Sequence, residues 1–280
     1  MNIKKLAVIL IAVAFSLIVL FSCVALFSVK EIEVDFAVAD DTDISAVQDT
    51  LDGYLGKNLM FLKTEELKDA LKDYHYMEVL SIKKAYPNVL KIKIEERRET
   101  YYIEHGEKVY VTTAEGFVLN VIDKSEYTGN TEREKITLKI KEINLVDKTE
   151  KDALISGNEI GNTIALSNDE FLGQVFEMAK SVHLTDCIKE LKVEKAVLGT
   201  VVAAKDVVIT TYTGVKIRVI KADEQGLEKI EKAFNEYDNA STDYKKTFDY
   251  ILVLKSEEQD NKGEIIVEWS STDNNPQQQA

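Results

Sequence analysis

A charge-free apolar run near the start of the chain limits what the chain can become more than any other feature. Residues 6–27 contain 22 consecutive residues without one charge. At about 1.5 Å per residue, a helix of this length reaches roughly 33 Å, enough to cross the hydrocarbon core of a membrane. Lys4 and Lys5 precede the run. The positive-inside rule therefore predicts a transmembrane anchor over 6–27, with residues 1–5 in the cytoplasm and the rest of the chain outside.

The same run also contains a pattern that supports an alternative interpretation. Leu20-Phe21-Ser22-Cys23 is similar to the cleavage box of a bacterial lipoprotein, although Phe21 fits that box poorly and apolar residues continue past Cys23. Lipidation of Cys23 is therefore the alternative to an uncleaved anchor. Both interpretations place most of the chain outside the membrane.

Composition narrows the class of protein. The full chain is 45% hydrophobic and 30% charged, with 2 Pro and 12 Gly, which is typical of a globular protein. The net charge of −14 argues against nucleic-acid binding, because that function needs a basic face. Of the two cysteines, Cys23 lies in the apolar run and Cys187 lies far along the chain, so the sequence predicts no disulfide framework.

The residues that follow the run predict the order strand, helix, helix, strand, strand. The predicted elements are a strand at 28–34, a helix opened by Asp43 and ended by Gly56, a second helix opened by Thr64, and strands at 79–85 and 89–95. In the last strand, Leu90, Ile92 and Ile94 alternate with charged residues, so one face is expected to pack on the two helices while the other faces solvent. The pattern predicts an α+β module over 28–97.

Three segments of this module resemble a known family. They are residues 27–34 (FSVKEIEV), 56–62 (GKNLMFL) and 86–97 (YPNVLKIKIEER). In this order, directly after one N-terminal span, they resemble the POTRA domain (β-α-α-β-β) of the FtsQ/DivIB family of bacterial division proteins. The family's usual proline after the Glu-Arg pair is replaced here by Arg98 and Glu99.

Residues 98–270 predict a second, mixed α/β domain with mostly antiparallel strands, followed by a disordered tail at 271–280. The predicted elements are strands at 101–103, 109–111 and 117–119, a helix after the capping box 167–170, a strand at 188–195, a hairpin of 207–210 with 215–219, a helix led by Asp223, and strands at 250–254 and 264–269. On the helix led by Asp223, Leu227, Ile230, Phe234 and Tyr237 form the predicted apolar face. The order of elements is similar to the FtsQ/DivIB ectodomain beyond its POTRA module.

The chain lacks the sequence signatures of common catalytic and cofactor sites. His75, His105 and His183 do not stand at metal-ligand spacing, and the segment from Gly157 to Gly161 lacks the Lys-Ser/Thr of a nucleotide loop. The sequence therefore predicts a protein without enzymatic activity, cofactor or metal. The 49 acidic residues leave a carboxylate pair suited to glycoside cleavage open, so a surface-anchored hydrolase or lipoprotein is the alternative.

Strand edges are the binding features that the sequence does predict. An edge strand offers unpaired backbone groups to an incoming peptide, and the two expected edges are residues 78–84 and the final strand at 264–269. The candidate residues are Val79, Leu80 and Ile82 on the first edge, and Ile265, Val267 and Trp269 on the second, with Tyr250 on the strand beside it.

The resemblance implies who would use these edges. In the FtsQ/DivIB family the terminal strand region receives a segment of a small single-pass coiled-coil partner by strand addition, and the POTRA module contributes to recruitment at the septum. The expected partners of this chain resemble FtsL and FtsB/DivIC and, through them, the septal peptidoglycan synthase complex. The expected location is the cell membrane at the division septum, and the expected role is a non-catalytic scaffold of the divisome.

Overall fold

The computed structural model describes residues 3–38, 44–128, 135–167, 169–181, 187–256 and 263–271. The chain forms two compact units, Met1–Arg97 and Arg98–Ala280. Asp43, His183 and residues 272–280 of the predicted tail lie outside the described residues, as does the side chain of Cys23.

The first unit begins with a long helix, α1 (Ile3–Leu26). Among the residues described, no helix is long and apolar enough to cross a membrane. The anchor over 6–27 therefore stays a prediction.

The rest of the first unit follows the predicted β-α-α-β-β order. Its elements are β1 (Glu31–Ala37), α2 (Ser45–Asp52), α3 (Thr64–Leu71), β2 (Met77–Ala85) and β3 (Val89–Glu96). The sheet order is β1-β3-β2, with β1 parallel and β2 antiparallel to the central β3. The α+β character of the module is confirmed.

The core of the first unit lies between this sheet and the two helices. Leu90, Ile92 and Ile94 of β3 are buried, as their alternation predicts, and pack in one cluster with Leu51 of α2 and Leu67 of α3.

One predicted boundary in this unit is wrong. Helix α2 ends at Asp52 and not at Gly56, and Leu55, which lies beyond that end, is exposed. Gly56 instead lies in the turn after the helix with a φ of +81°, a conformation that glycine adopts without steric cost.

The second unit is built on one large sheet. Its strands are β4 (Tyr101–His105), β5 (Lys108–Thr112), β6 (Val118–Asp123), β7 (Ile136–Asn144), β8 (Glu150–Asp152), β11 (Ile188–Leu198), β12 (Val201–Thr211), β13 (Lys216–Val219), β14 (Tyr250–Lys255) and β15 (Ile265–Ser270). The order is β15-β14-β13-β12-β11-β7-β4-β5-β6, with β8 paired to β7, and most neighbouring strands are antiparallel. A small ribbon joins β9 (Ile155–Ser156) to β10 (Ala165–Leu166).

Helices cover one face of this sheet and charges occupy the other. The helices of the second unit are α4 (Phe171–Ser181), α5 (Gly226–Asn239) and the short α6 (Thr242–Thr247). Residues of α4 and α5 share one core with inward residues of the strands, such as Val193 and Ile217. On the opposite face, Lys192 pairs with Glu150 at 2.7 Å and Arg218 pairs with Asp206 at 2.8 Å.

In the second unit, the sequence predicts the strands better than it predicts where the helices begin. The β12–β13 hairpin and the β14–β15 pair are confirmed. Helix α5 begins at Gly226 rather than near Asp223, and Leu227 is exposed rather than on the buried face. At the start of α4, Asp169 accepts the backbone N–H of Phe171 at 3.0 Å, so the cap comes from Asp169.

Candidate partner-binding edges

The final strand, β15, forms one end of the large sheet. Within the described residues it pairs only with β14, in an antiparallel register that places Val253 opposite Val267 and Ile251 opposite Trp269. Apolar residues on alternate positions of both strands put one face on the core, while the other side of β15 has no neighbouring strand among the described residues. The geometry of an edge strand is therefore present where the sequence predicted it.

Hydrogen bonds around β14 show which backbone groups of β15 point away from the sheet. The carbonyls of Asp249 and Val253 accept from Lys216 and Ile220, on the β13 side. Backbone groups alternate in direction along a strand, so the residues between these positions face β15 instead. In register, the β15 residues that face β14 are Ile266, Glu268 and Ser270. The backbone N–H and C=O groups of the three candidates, Ile265, Val267 and Trp269, therefore point outward.

The side chains of these three residues lean towards the core. Ile265 is buried, and Val267 and Trp269 are partly buried against the same cluster. The ring of Trp269 meets the ring of Tyr244 of α6 edge to face, with 5.2 Å between centroids. Ser241 caps α6 by accepting the backbone N–H of Tyr244 at 3.2 Å. The indole is thus held beside the edge, where a strand added to β15 would cover it further.

Tyr250, the fourth candidate, does not lie on the same face. It pairs in register with Ser270 and is buried, so it belongs to the opposite side of the sheet from Val267 and Trp269. There its phenol is near Arg218. Burial alone would lower the pKa of the Arg218 guanidinium, but Glu194 and Asp206 outweigh burial and raise it. Tyr250 packs on the opposite face of the sheet beside the edge and offers little exposed surface to a partner.

Strand β2 forms an edge of the smaller sheet. Its register with β3 shifts between Val79 and Ser81, which leaves Leu80 at a β-bulge with its side chain exposed. Val79 and Ile82 pack against the core of the unit. Of the three candidates on this edge, Leu80 alone presents an exposed side chain.

The same hydrogen-bond reasoning gives the backbone direction in β2. The carbonyl of Asn88, just before β3, accepts from Lys30, next to β1. Alternation then turns Lys91 and Lys93 of β3 towards β2, opposite Lys83 and Ser81. Ile82, which lies between those two, directs its backbone groups outward.

Arg97 has a structural role that the sequence interpretation missed, because the charged run at the end of β3 is typical of a solvated strand exit. Its Nη1 donates to the carbonyls of His75 and Met77, and its backbone N–H donates to Tyr76 at 2.7 Å. Arg97 thus fixes the start of β2. Strand β1 forms a second edge of the same sheet, which the sequence analysis did not expect. The bulge in β2 did have a sequence signal, because the adjacent apolar residues Val79 and Leu80 break the alternation of apolar and polar residues.

Clustered metal-ligand side chains do not appear in the described part of the chain: no group of three or more His, Cys, Asp or Glu residues could hold a metal ion there. His105 Nε2 lies 2.8 Å from the carbonyl of Ala153. Cys187 is partly buried against the main core. The predicted lack of enzymatic activity and of cofactors stays a prediction.

Comparison with known proteins identifies residues 27–97 of the first unit. Residues 27–97 match the FtsQ-type POTRA domain. The chain is also similar to the cell division protein DivIB of Clostridium acetobutylicum, with 29% identity over 66 residues that cover 24% of this chain and 26% of that relative. The match thus spans about a quarter of the length of the curated relative. The first finding confirms the resemblance of residues 27–97 to an FtsQ-type POTRA domain, and the similarity to a DivIB protein agrees with it. The resemblance of residues 98–270 to the rest of the FtsQ/DivIB ectodomain stays a prediction.

Proposed function

We infer that this chain is a cell-division protein of the FtsQ/DivIB family, because it carries an FtsQ-type POTRA domain and is similar to a DivIB protein. We propose further that it is anchored by residues 6–27 with its N-terminus in the cytoplasm. The charge-free run and the two lysines before it support this orientation. Residues 28–97 of the first unit and the whole second unit then lie outside the membrane, at the division septum.

The proposed activity is non-catalytic scaffolding by strand addition. The observation that carries it is the outward row of backbone groups at Ile265, Val267 and Trp269 on the edge strand β15. An extended peptide laid against this row gains main-chain hydrogen bonds, while neighbouring side chains select its sequence. The partly buried ring of Trp269 gives such a peptide an apolar contact beside the edge.

The proposed partners are single-pass coiled-coil proteins resembling FtsL and FtsB/DivIC. Through them the chain would help to regulate the septal peptidoglycan synthase complex. The second edge, β2, would contribute to recruitment at the septum through the exposed Leu80 and the outward backbone of Ile82. In this account the two edges have different roles.

Depletion of the protein, combined with imaging of a tagged copy, tests the proposal. The expected result is a block in septation on depletion and enrichment of the tagged copy at midcell. Normal septation together with a uniform distribution of the tagged copy would contradict the division role. Turnover of peptidoglycan fragments by the purified ectodomain would contradict the non-catalytic part.

A further inference from the structure

The loop at residues 56–63 is joined to the end of α1 by its backbone and by one side chain. The backbone N–H of Leu59 donates to the carbonyl of Phe27 at 2.7 Å, and Asn58 Nδ2 donates to the carbonyl of Val24 at 3.4 Å. Val29 donates its N–H to the carbonyl of Lys57 at 2.8 Å. These bonds fix the loop beside the last turn of α1.

Two large apolar side chains project from this loop into solvent. Met60 is 52% exposed and Phe61 is 77% exposed, whereas Leu59 and Leu62 on either side of them are buried in the core. Consecutive Cα atoms are 3.8 Å apart, so Met60 and Phe61 lie within about 8 Å and 11 Å of Asn58. The fold buries the two leucines and leaves much of the pair between them exposed to solvent.

An aromatic pair adds to this exposed apolar surface at the end of α1. The ring of Phe27, the residue after α1, meets the ring of Tyr86 edge to face with 5.9 Å between centroids, and Tyr86 is itself exposed. Asn88, in the same turn as Tyr86, accepts the backbone N–H of Lys30 at 2.9 Å. Exposed aromatic side chains are therefore held on two loops that both hydrogen-bond to the residues around the end of α1.

The charge of the loop differs from that of the whole chain. Residues 56–63 include Lys57 and Lys63 and no carboxylate, although the chain has a net charge of −14. Aromatic side chains and lysines are enriched where proteins meet the headgroups of a bilayer. An exposed apolar pair flanked by lysines fits a lipid surface better than it fits water.

We propose that Met60 and Phe61 insert into the headgroup region of the bilayer that holds α1, with Lys57 and Lys63 contacting lipid phosphates. This contact rests on the membrane anchor proposed above. It makes the POTRA domain a second point of membrane contact and limits its rotation about the end of α1.

Lipid quenching of tryptophan fluorescence in the full-length protein tests this contact. The chain has one native tryptophan, so each reporter is introduced in a Trp269→Phe background. Three reporters are compared: Phe61→Trp in the loop, Leu80→Trp on β2, and Leu17→Trp within α1. Leu80 is a matched control because it is exposed on the same domain but, at about 3.3 Å per residue, lies roughly 20 Å along β2 from Tyr86. The vesicles contain equal parts phosphatidylcholine and phosphatidylglycerol, with bromine either near the headgroup or near the end of the acyl chain.

The expected result is a loss of Phe61→Trp emission that is larger with bromine near the headgroup, and no loss for Leu80→Trp. Quenching of Leu17→Trp without quenching of Phe61→Trp would overturn the loop contact and leave the anchor intact. A blue shift of Phe61→Trp that does not depend on bromine would assign the patch to a second copy of the chain or another protein surface, and would also overturn the proposal. Absence of quenching at Leu17→Trp would overturn the anchor and the loop contact together.

Discussion

At the scale of single residues, Arg218 forms ion pairs with two carboxylates that are almost completely buried. Its Nη2 lies 2.8 Å from an oxygen of Glu194 and 2.8 Å from an oxygen of Asp206, and these side chains are 8% and 9% exposed. Lys192 reaches Glu194 as well, at 3.0 Å. A buried charge that loses its partner is costly, so these two carboxylates depend strongly on the Arg218 guanidinium.

Replacing Arg218 by Met is therefore expected to lower the free energy of unfolding by about 3–5 kcal/mol, because both carboxylates lose their main partner. Denaturant unfolding of the ectodomain measures the change. Lys108→Met is the matched control, since it removes an ion pair to Asp123 of 2.7 Å whose side chains are about half exposed, and it is expected to leave the unfolding midpoint nearly unchanged. Equal effects of the two substitutions would contradict this account of the charged face.

Asp169 gives a prediction for the dependence of stability on pH. Burial would raise the pKa of its carboxyl, but Lys205 and the N–H of Phe171 outweigh burial and hold that pKa below 3.8. Because the pKa of Asp169 is lower in the folded state, its carboxylate stabilises the fold at a pH above its pKa in the unfolded chain. This stabilisation is lost as the pH falls through its pKa in the folded state. We expect Asp169→Ala to cost about 0.5–2 kcal/mol near neutral pH. The difference from wild type should shrink below pH 3.8, and unfolding curves at a series of pH values would refute the account if the difference stayed constant.

At the scale of elements, the sequence predicts what depends on local pattern. The alternation of apolar and polar residues predicts β3 and the β12–β13 hairpin, and both form as expected. Strand β7 is missing from the predicted elements although Ile136, Leu138 and Ile140 alternate there. Its partners β4 and β11 are parallel to it and distant in the chain, so its central position depends on contacts that no local pattern records.

For the candidate edges, too, some features could be predicted from local sequence pattern and others could not. Their positions at the ends of the sheets could be expected from the order of strands. The bulge at Leu80 has a local signal in the adjacent apolar pair Val79 and Leu80, whereas the carbonyls that Arg97 binds depend on three-dimensional contact, which the sequence does not express. The register of β14 against β15 also decides that the Tyr250 side chain lies on the opposite face of the sheet from Val267 and Trp269, and the sequence does not give this register.

The direction of backbone groups in β15 separates two proline substitutions one residue apart. Val267→Pro removes an outward N–H, so the β14–β15 ladder stays intact and the domain is expected to fold with partner capture lost. Glu268→Pro removes an N–H that faces β14 and should lower stability by about 1–3 kcal/mol. Circular dichroism and pull-down of the FtsL-like and FtsB/DivIC-like proteins measure the two effects. Unchanged pull-down by a folded Val267→Pro variant would refute strand addition at β15.

At the scale of the whole molecule, the two edges belong to two compact units with separate hydrophobic cores. Strand β2 lies in Met1–Arg97 and β15 in Arg98–Ala280. The proposed roles are therefore separable by substitution. Ile82→Pro, which removes an outward N–H of β2, is expected to reduce enrichment at midcell while pull-down of the coiled-coil partners persists. Loss of both properties in Ile82→Pro, with the protein still folded, would show that the edges do not act separately.

The central claim is that β15 receives a strand from a division partner, and photo-crosslinking in living cells tests it most directly. A photoreactive amino acid replaces Trp269 in one strain and, as a control, the exposed Leu227 of α5 in another. The account predicts an adduct between the Trp269 position and a single-pass division protein, lost when Val267→Pro is added and absent from the Leu227 position. No adduct with a division protein from the Trp269 position, or the same adduct from Leu227, would contradict it.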